Sequence, residues 1–347
     1  MDKFCYDHIG FKRIIKETFM EGSFSDIVCM YHPTRIFLVD DNRNFLETIE
    51  LILSNLYSVK TCTNPERALS LLESCHDDIN NDLFTLVDGE ESDSAINHRF
   101  DIELGNLYRL VYEPARFDSM SVVIVDYAMP EMSGLEFCRK IKEQKIRKIM
   151  LTAEDDKAMA IQAFNDGIID KFILKDDPQL QVKLIKAIDE LQKNYFEQLS
   201  KPIKASFSNQ LHPLFSDKDY KKLFNDVYHK AGAVEFYLVD SQGSFLFLDD
   251  HAKPTWLILR DKKTLQDQLQ LLGDYDVPGD VLRSLENQQS MLCLVGEADY
   301  KKPLEYWIKS IYPMNKLNEN YFYSVIEDKL TCSIEWDNVV VNEKAVS

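Results

Sequence analysis

Short apolar runs alternate with amphipathic segments along the first half of the chain. The apolar runs that predict strands are 36–39, 57–61, 121–125, 148–151 and 171–174. The segments with helical spacing are 44–53, 65–72, 135–142, 156–165 and 179–199. Strands that alternate with helices in this way indicate an α/β domain with a parallel five-stranded sheet, covered on both faces.

Two segments fall outside this alternation. Residues 1–33 contain an amphipathic stretch that predicts a helical extension, which would cover the core or bind a partner; its residues at helical spacing are Phe11, Ile14, Ile15, Thr18 and Phe19. The second segment, about 73–117, is an insertion rich in acidic and small polar residues around 88–97. It precedes a strand, so we expect it at the amino ends of the strands as a loop or docking surface. The α/β domain therefore spans 34–178.

The segment 179–200 predicts one long linker helix. Its apolar positions are Leu180, Leu184, Ile188, Leu191, Tyr195 and Leu199. Their spacing of three and four residues is close to that of a two-stranded coiled coil. Packing against the sheet explains the first half of the helix. A signalling linker that dimerises is the alternative for the second half.

The pattern over 201–347 predicts a separate α+β domain. A helix at 216–230 precedes strands at 234–239 and 244–248, which the turn sequence Ser241-Gln242-Gly243 joins. Helices follow near 263–272 and 278–287, and strands are predicted at 291–295, 304–312 and 321–326. This order of elements resembles PAS-like sensor domains. The many aromatic residues of this half form either a core or a ligand cavity.

Composition and charge restrict the function. The chain has 347 residues, enough for two domains, and 45% of them are hydrophobic. Apolar stretches are too short to cross a membrane and the amino terminus has no secretory pattern, which predicts a cytoplasmic protein. Seven cysteines without a CxxC pair indicate reduced thiols. The net charge is −18, and residues 201–347 carry 17 basic and 22 acidic residues, which disfavours direct binding to nucleic acid.

Polar residues stand at the ends of four predicted strands. Asp40 and Asp41 follow the first strand, Asp126 the third, Thr152 ends the fourth and Lys175 follows the fifth. The carboxyl ends of parallel strands meet in one crevice, so these side chains should share a pocket. Dense carboxylate oxygens suit Mg²⁺, which Asp40 and Asp41 would hold with Asp126.

This set of groups predicts phosphoryl transfer. An ionised Asp126 could attack phosphorus and become an aspartyl phosphate, while Mg²⁺ and Lys175 neutralise the phosphoryl oxygens. The hydroxyl of Thr152 could donate to a phosphoryl oxygen and shift toward it, which would change the packing behind its strand.

These residues, with the motifs Asp126-Tyr127-Ala128-Met129-Pro130 and Ser133-Gly134, resemble the CheY-like receiver family of two-component response regulators. The resemblance implies a flavodoxin-like (βα)5 fold with strand order 2-1-3-4-5 and Asp126 as the phosphoacceptor. It also implies that the backbone carbonyl of Ala128 binds Mg²⁺ and that Phe172 rotates inward as Thr152 moves. Asp176 stands where the family usually has proline, which leaves the conformation of that loop open.

We therefore predict a response regulator that a sensor histidine kinase phosphorylates, rather than an enzyme with its own turnover. Phosphorylation would cause homodimerisation or rearrange the domains, and the output domain of 201–347 would bind a protein or small ligand. One alternative is a transcription factor with an unrecognised DNA-binding motif, and another is a regulated enzyme. The layout also resembles that of quorum-sensing response regulators.

Overall fold

The computed structural model describes residues 26–74 and 104–342, which form two main sheets connected by one long helix. The apolar stretch predicted as a helix over 11–19 and most of the predicted insertion lie outside the described residues.

The first main sheet is parallel and has five strands. The strands of this half of the chain are β1 (Met30–Tyr31), β2 (Arg35–Val39), β3 (Ser58–Cys62), β4 (Met120–Asp126), β5 (Arg147–Thr152) and β6 (Lys171–Leu174). The helices are α1 (Arg43–Leu53), α2 (Pro65–Ser74), α3 (Gly105–Arg109), α4 (Gly134–Lys140), α5 (Lys157–Asn165) and α6 (Leu180–Ser206). The sheet order is β3-β2-β4-β5-β6, with every pairing parallel. The predicted flavodoxin-like fold and its strand order are confirmed.

Helices cover both faces of this sheet. Helices α1 and α6 pack on one face, where Leu46, Ile49, Leu184 and Ile188 are buried. Helices α2, α4 and α5 cover the other face, where Phe137 is fully buried. The central strand β4 is buried over its whole length. A strand that is buried on both faces has a continuous apolar sequence, and for this reason the apolar run 121–125 predicts the strand correctly.

Helix α6 contributes to two cores. Leu184, Ile188 and Leu191 pack on the parallel sheet, whereas Tyr195 and Leu199 pack against the second main sheet. All five side chains are buried within the chain. A coiled coil through these positions is therefore contradicted, since their apolar surface is already covered intramolecularly.

Asp189 on α6 gives the fold an expected pH dependence. The hydroxyl of Tyr57 donates a hydrogen bond to its carboxylate. Burial raises the pKa of Asp189 from 3.8 to about 6, although the hydrogen bond from Tyr57 acts in the opposite direction. The folded chain holds this proton to a higher pH than the unfolded chain. The stability it contributes is thus complete below pH 3.8 and is lost as pH rises through about 6.

We expect Asp189→Asn, which keeps an acceptor for Tyr57, to remove this dependence. The free energy of unfolding in urea should match that of the unsubstituted chain at low pH and exceed it by on the order of 2 kcal/mol at neutral pH. Glu190→Gln, at the exposed neighbouring position, is the control. Parallel pH profiles for Asp189→Asn and the unsubstituted chain would contradict the expectation.

The second main sheet is antiparallel and lies mostly in the second half of the chain. Its order is β1-β7-β8-β9-β13-β12, and a two-stranded sheet β10-β11 lies apart from it. The strands are β7 (Glu235–Leu238), β8 (Phe245–Leu248), β9 (Pro254–Asp261), β10 (Ser290–Leu292), β11 (Ile311–Pro313), β12 (Asn315–Lys316) and β13 (Tyr321–Ile326). The helices are α7 (Ser208–Ser216), α8 (Lys218–Lys230), α9 (Lys262–Gly273), α10 (Gly279–Glu286), α11 (Glu297–Tyr300) and α12 (Leu304–Lys309). An α+β architecture for this half is confirmed.

Several elements of this half differ from the sequence-based expectation. Strand β9 follows the β7-β8 hairpin directly, where no strand was predicted. The segment predicted as a strand over 304–312 is instead the helix Leu304–Lys309 followed by β11. Tyr306 and Trp307 have a high intrinsic preference for strands. In the structure they lie on a helix, from which the Tyr306 hydroxyl donates to Asp299 Oδ1 and the Trp307 indole N–H donates to the Asp299 carbonyl, both at 3.0 Å. The order of elements that suggested a PAS-like domain is therefore not the observed one.

The aromatic residues of β7, β8 and β9 form a core rather than line a cavity. Phe236, Tyr237, Phe245, Phe247 and Trp256 are fully buried. The rings of Phe236, Phe245 and Phe247 also contact Phe224 of α8. Their packing therefore supports the interpretation as a core and not the interpretation as a ligand cavity.

Two segments from the first half belong to this second core. Strand β1 pairs with β7, so residues 30–31 are a strand and not part of a helical extension. Residues 104–111, from the carboxyl end of the predicted insertion, pack into the same core through Leu107 and Val111. The fully buried Arg116 joins this segment to β7, because its guanidinium pairs with Glu235 at 3.1 Å. The core of the antiparallel sheet is thus assembled from three separate stretches of the chain.

Candidate functional site

The candidate site lies at the carboxyl ends of the parallel strands, where the sequence placed it. Asp40 follows β2, Asp126 is the last residue of β4, and Lys175 follows β6. Asp40 and Asp126 are 2% and 6% exposed, whereas Asp41 is exposed. One oxygen of each of the three carboxylates lies within 4.8 Å of the others.

Lys175 connects the two buried carboxylates. Its Nζ lies 2.7 Å from Asp40 Oδ2 and 2.9 Å from Asp126 Oδ1. The ammonium group also stands 4.5 Å from the centre of the Phe45 ring, in a cation–π contact. The amine is thus held beside the carboxylate of Asp126 by contacts from two other elements.

The electrostatics of the site favour a cation. Burial raises the pKa of Asp40, as does the charge of Asp126, although hydrogen bonds from Lys175 and from the amide of Asn42 oppose this. Burial alone would lower the pKa of Lys175, but its hydrogen bonds to Asp40 and Asp126 outweigh that effect and the pKa is raised. Two buried carboxylates with one ammonium leave an excess of negative charge that a bound cation would relieve.

The donor set fits Mg²⁺. All the candidate side-chain ligands are carboxylate oxygens, which hard divalent cations prefer, and the exposed Asp41 leaves one side open for water or phosphate oxygens. Ala128 is exposed and lies two residues after Asp126. Within residues 26–74 and 104–342, no other three acidic, histidine or cysteine side chains lie close enough together to bind one metal ion.

Thr152 is the last residue of β5, and Phe172 lies on the neighbouring strand β6. Thr152 is fully buried, and its hydroxyl donates to the Ala153 carbonyl at 3.2 Å. Its own carbonyl accepts from the amide of Lys175 at 2.9 Å, so the ends of β5 and β6 are held together. Phe172 is half-buried on β6, and its ring contacts the exposed Phe164 of α5 edge-to-face, with 6.5 Å between the ring centres.

Two supporting residues were not identified from the sequence. Asn42 donates its amide to Asp40 Oδ1 at 2.8 Å, and its side chain caps α1 by accepting from the Phe45 amide at 3.2 Å. An asparagine between a strand and an amphipathic segment is a helix-cap signal that could have located it. The contact of Phe45 with Lys175 spans two distant parts of the chain, and no local pattern indicates it.

Gly134 makes a close approach that fixes the loop after Asp126. Its amide donates to the Tyr127 carbonyl at 2.9 Å. A Cβ at this position would lie 2.2 Å from the Asp126 carbonyl oxygen. Because the obstructing atoms are backbone, the loop would have to move to admit a side chain.

We therefore expect Gly134→Ala to lower the free energy of unfolding by about 1–3 kcal/mol, the usual cost of overpacking. It should also displace Asp126 and slow any reaction there. Gly273→Ala is the matched control, because a Cβ at Gly273 meets nothing within 4 Å. Urea unfolding of both variants measures the effect, and equal stabilities would show that the loop accommodates the methyl group.

Comparison with known proteins agrees with this geometry. Residues 103–189 match the family model described as the response regulator receiver domain. The transcriptional regulatory protein ResD of Bacillus subtilis is 35% identical over 68 residues, which cover 19% of this chain and 28% of ResD. The transcriptional regulatory protein SrrA of Staphylococcus aureus is 28% identical over 90 residues, which cover 26% of this chain and 37% of SrrA. The chain thus spans between a quarter and two fifths of the length of these curated relatives.

A solved structure resembles nearly the whole chain. The Legionella pneumophila response regulator LqsR is 32% identical, with a TM-score of 0.71, and the match covers 94% of this chain and 96% of that one. Coverage of this extent includes the antiparallel sheet as well as the parallel one. Among the described residues, no helix combines the length and apolar character needed to cross a membrane.

Proposed function

Because this chain belongs to the response regulator family, we propose that Asp126 accepts a phosphoryl group from a sensor histidine kinase. The observation that carries the proposal is the buried Asp126 carboxylate, which shares one crevice with Asp40, Asp41 and the ammonium group of Lys175. We also propose that the protein is cytoplasmic and that its partner is this kinase. In this proposal it catalyses no reaction other than the acceptance and loss of its own phosphoryl group.

The chemistry assigns a role to each side chain. A carboxylate oxygen of Asp126 attacks phosphorus, and the O–P bond forms as the P–N bond to the kinase histidine breaks and returns its electron pair to nitrogen. Lys175 balances negative charge on the phosphoryl oxygens, for which its position 2.9 Å from Asp126 is suitable. Mg²⁺, held by Asp40, Asp41, Asp126 and the carbonyl of Ala128, would supply further positive charge to these oxygens.

The switch would begin at Thr152. Its hydroxyl leaves the Ala153 carbonyl and donates to a phosphoryl oxygen, which frees space behind β5. Phe172 would rotate into that space and withdraw from Phe164. Phosphorylation would thereby change the surface of α5, where Met159, Ile161 and Phe164 are between 41% and 48% exposed.

The signal could reach the second sheet or a second copy of the chain. Helix α6 packs against both sheets, so movement at the parallel sheet can be transmitted to the output domain, which we propose binds a protein or small ligand. Homodimerisation stays a prediction. Its proposed surface is now formed by the exposed apolar residues of α5 rather than by the buried face of α6. Quorum sensing also stays a prediction.

Light scattering tests the α5 surface. With Mg²⁺ and acetyl phosphate, the mass in solution should rise toward that of a dimer, and Phe164→Gln should prevent the rise by removing apolar contact area. Val182→Gln, at a position 66% exposed on α6, is the control and should dimerise normally. A phosphorylated chain that remains monomeric would instead assign the switch to contacts within one molecule.

The chemical proposal is tested by the intact mass of the full chain after treatment with acetyl phosphate. We expect one phosphoryl group per chain, dependent on Mg²⁺ and abolished by EDTA. Lys175→Met should slow its incorporation by at least tenfold, whereas Lys183→Met, which removes an exposed ion pair with Asp177, should not. Incorporation that persists in EDTA or is unchanged in Lys175→Met would contradict the proposed site.

A further inference from the structure

Phe45 gives the ammonium group of Lys175 a contact that carries no charge. The Lys175 Nζ stands 4.5 Å from the centre of the Phe45 ring, and it also pairs with Asp40 at 2.7 Å and with Asp126 at 2.9 Å. Phe45 lies in the first turn of α1 and is half-buried. The face of an aromatic ring attracts a cation because it is electron-rich. The ammonium group is thus held by two carboxylates and one aromatic face.

The position of the Phe45 ring is linked to the carboxylate cluster through the start of α1. The amide of Phe45 donates to Asn42 Oδ1 at 3.2 Å, which caps the helix. The amide of Asn42 donates in turn to Asp40 Oδ1 at 2.8 Å, and the other oxygen of Asp40 accepts from Lys175. These four residues therefore form a closed series of contacts around the amine.

The two kinds of contact would respond differently to a bound cation. Asp40 and Asp126 are candidate ligands for Mg²⁺, so their negative charge would be shared between the ion and Lys175. The Phe45 ring is uncharged and is not a candidate ligand, so its contact with the ammonium group does not compete with the ion. Lysine has a long and flexible side chain, which turns easily toward solvent when its partners weaken. The aromatic contact is the one that would persist when the carboxylates bind a cation.

We propose that Phe45 is a positioning residue, which keeps the ammonium group of Lys175 directed at Asp126 while the carboxylates bind a cation. This role rests on the proposed function of Asp126 as the phosphoacceptor. Phe45 acts on the transfer only through Lys175 and not on the reacting atoms themselves. The ring also packs beside the core under α1, so a test must distinguish its electrostatic contact from its packing.

Fluorinated phenylalanines at position 45 make this distinction in the full chain. Replacement of Phe45 by 4-fluorophenylalanine or by 3,4,5-trifluorophenylalanine withdraws increasing amounts of electron density from the ring face and changes its shape little. With acetyl phosphate and Mg²⁺, the rate of phosphoryl incorporation should fall in that order, by about threefold for the trifluorinated ring. The trifluorinated replacement of Phe215, whose ring contacts Lys204 in the second core, is the matched control and should leave the rate unchanged.

A second readout follows Lys175 itself and needs no phosphoryl transfer. The lysine side chains are labelled with ¹³C at Cε, and the signal of Lys175 is assigned with Lys175→Arg. Because its ammonium group stands over the Phe45 ring, the neighbouring Cε protons should resonate upfield of those of exposed lysines. The upfield shift should persist after addition of Mg²⁺, and Phe45→Leu should remove it.

The proposal is overturned if fluorination of Phe45 leaves the rate unchanged, if Mg²⁺ removes the upfield shift of Lys175 in the unsubstituted chain, or if Phe45→Leu retains that shift. Any of these results would leave Asp126 as the acceptor. An unsubstituted chain that takes up no phosphoryl group would contradict the proposed function, and with it the role of Phe45.

Discussion

Asp126→Asn is expected to abolish phosphoryl transfer to this protein. An amide oxygen is a far weaker nucleophile than a carboxylate, and the substitution also removes one of the three candidate ligands for Mg²⁺. Asparagine is close in size to aspartate, so the β4 strand and its buried neighbours should be unaffected. After treatment with acetyl phosphate and Mg²⁺, the intact mass of the variant should not change.

The matched control is Asp118→Asn, which lies just before β4. Asp118 is exposed and pairs with Arg35, outside the cluster of carboxylates. This variant should be phosphorylated at the rate of the unsubstituted chain. A phosphoryl group on Asp126→Asn would assign the acceptor to another residue.

Arg116→Met should cause the largest loss of stability. The guanidinium is fully buried, contacts both carboxylate oxygens of Glu235, and donates to the carbonyls of Val111 and Val340. Methionine fills a similar volume but leaves Glu235 buried without its counter-charge. Removal of one partner from a buried pair costs about 3–5 kcal/mol, and we expect a loss of that size in the free energy of unfolding.

The double variant Arg116→Met/Glu235→Gln separates the loss of a charge partner from the loss of packing. It removes both charges, so it should recover a large part of the stability. Arg35→Met, which breaks the half-exposed pair with Asp118, should cost less than about 1 kcal/mol. If the double variant is no more stable than Arg116→Met, the cost lies in the lost backbone hydrogen bonds instead.

The candidate site could be predicted from the sequence because each of its side chains stands next to a strand with a clear apolar pattern. Asp40, Asp126 and Lys175 are separated by up to 135 positions along the chain, yet the geometry of a parallel sheet brings them within hydrogen-bond distance. Their contacts therefore follow from strand boundaries alone. The position of Phe45 against Lys175 depends on the rotation of α1 about its axis, which no spacing rule specifies.

The second half was harder to predict, for physical reasons. Strand β9 begins at Pro254 and is buried on both faces between β8 and β13, so it lacks the alternation of a half-exposed strand. The helix Leu304–Lys309 is short and carries Tyr306 and Trp307, and it is set by contacts with Asp299. The apolar face of α6 also has the spacing of a coiled coil, and a sequence cannot show whether such a face is covered by its own chain.

The most direct test of the phosphoacceptor assignment is the location of the phosphoryl group on the unsubstituted protein. Borohydride reduction of an aspartyl phosphate converts that residue to homoserine, which peptide mass spectrometry then identifies. After treatment with acetyl phosphate and Mg²⁺, homoserine should appear at position 126 and at no other aspartate. Homoserine at Asp40, Asp41 or any other position, with Asp126 unmodified, would contradict the account.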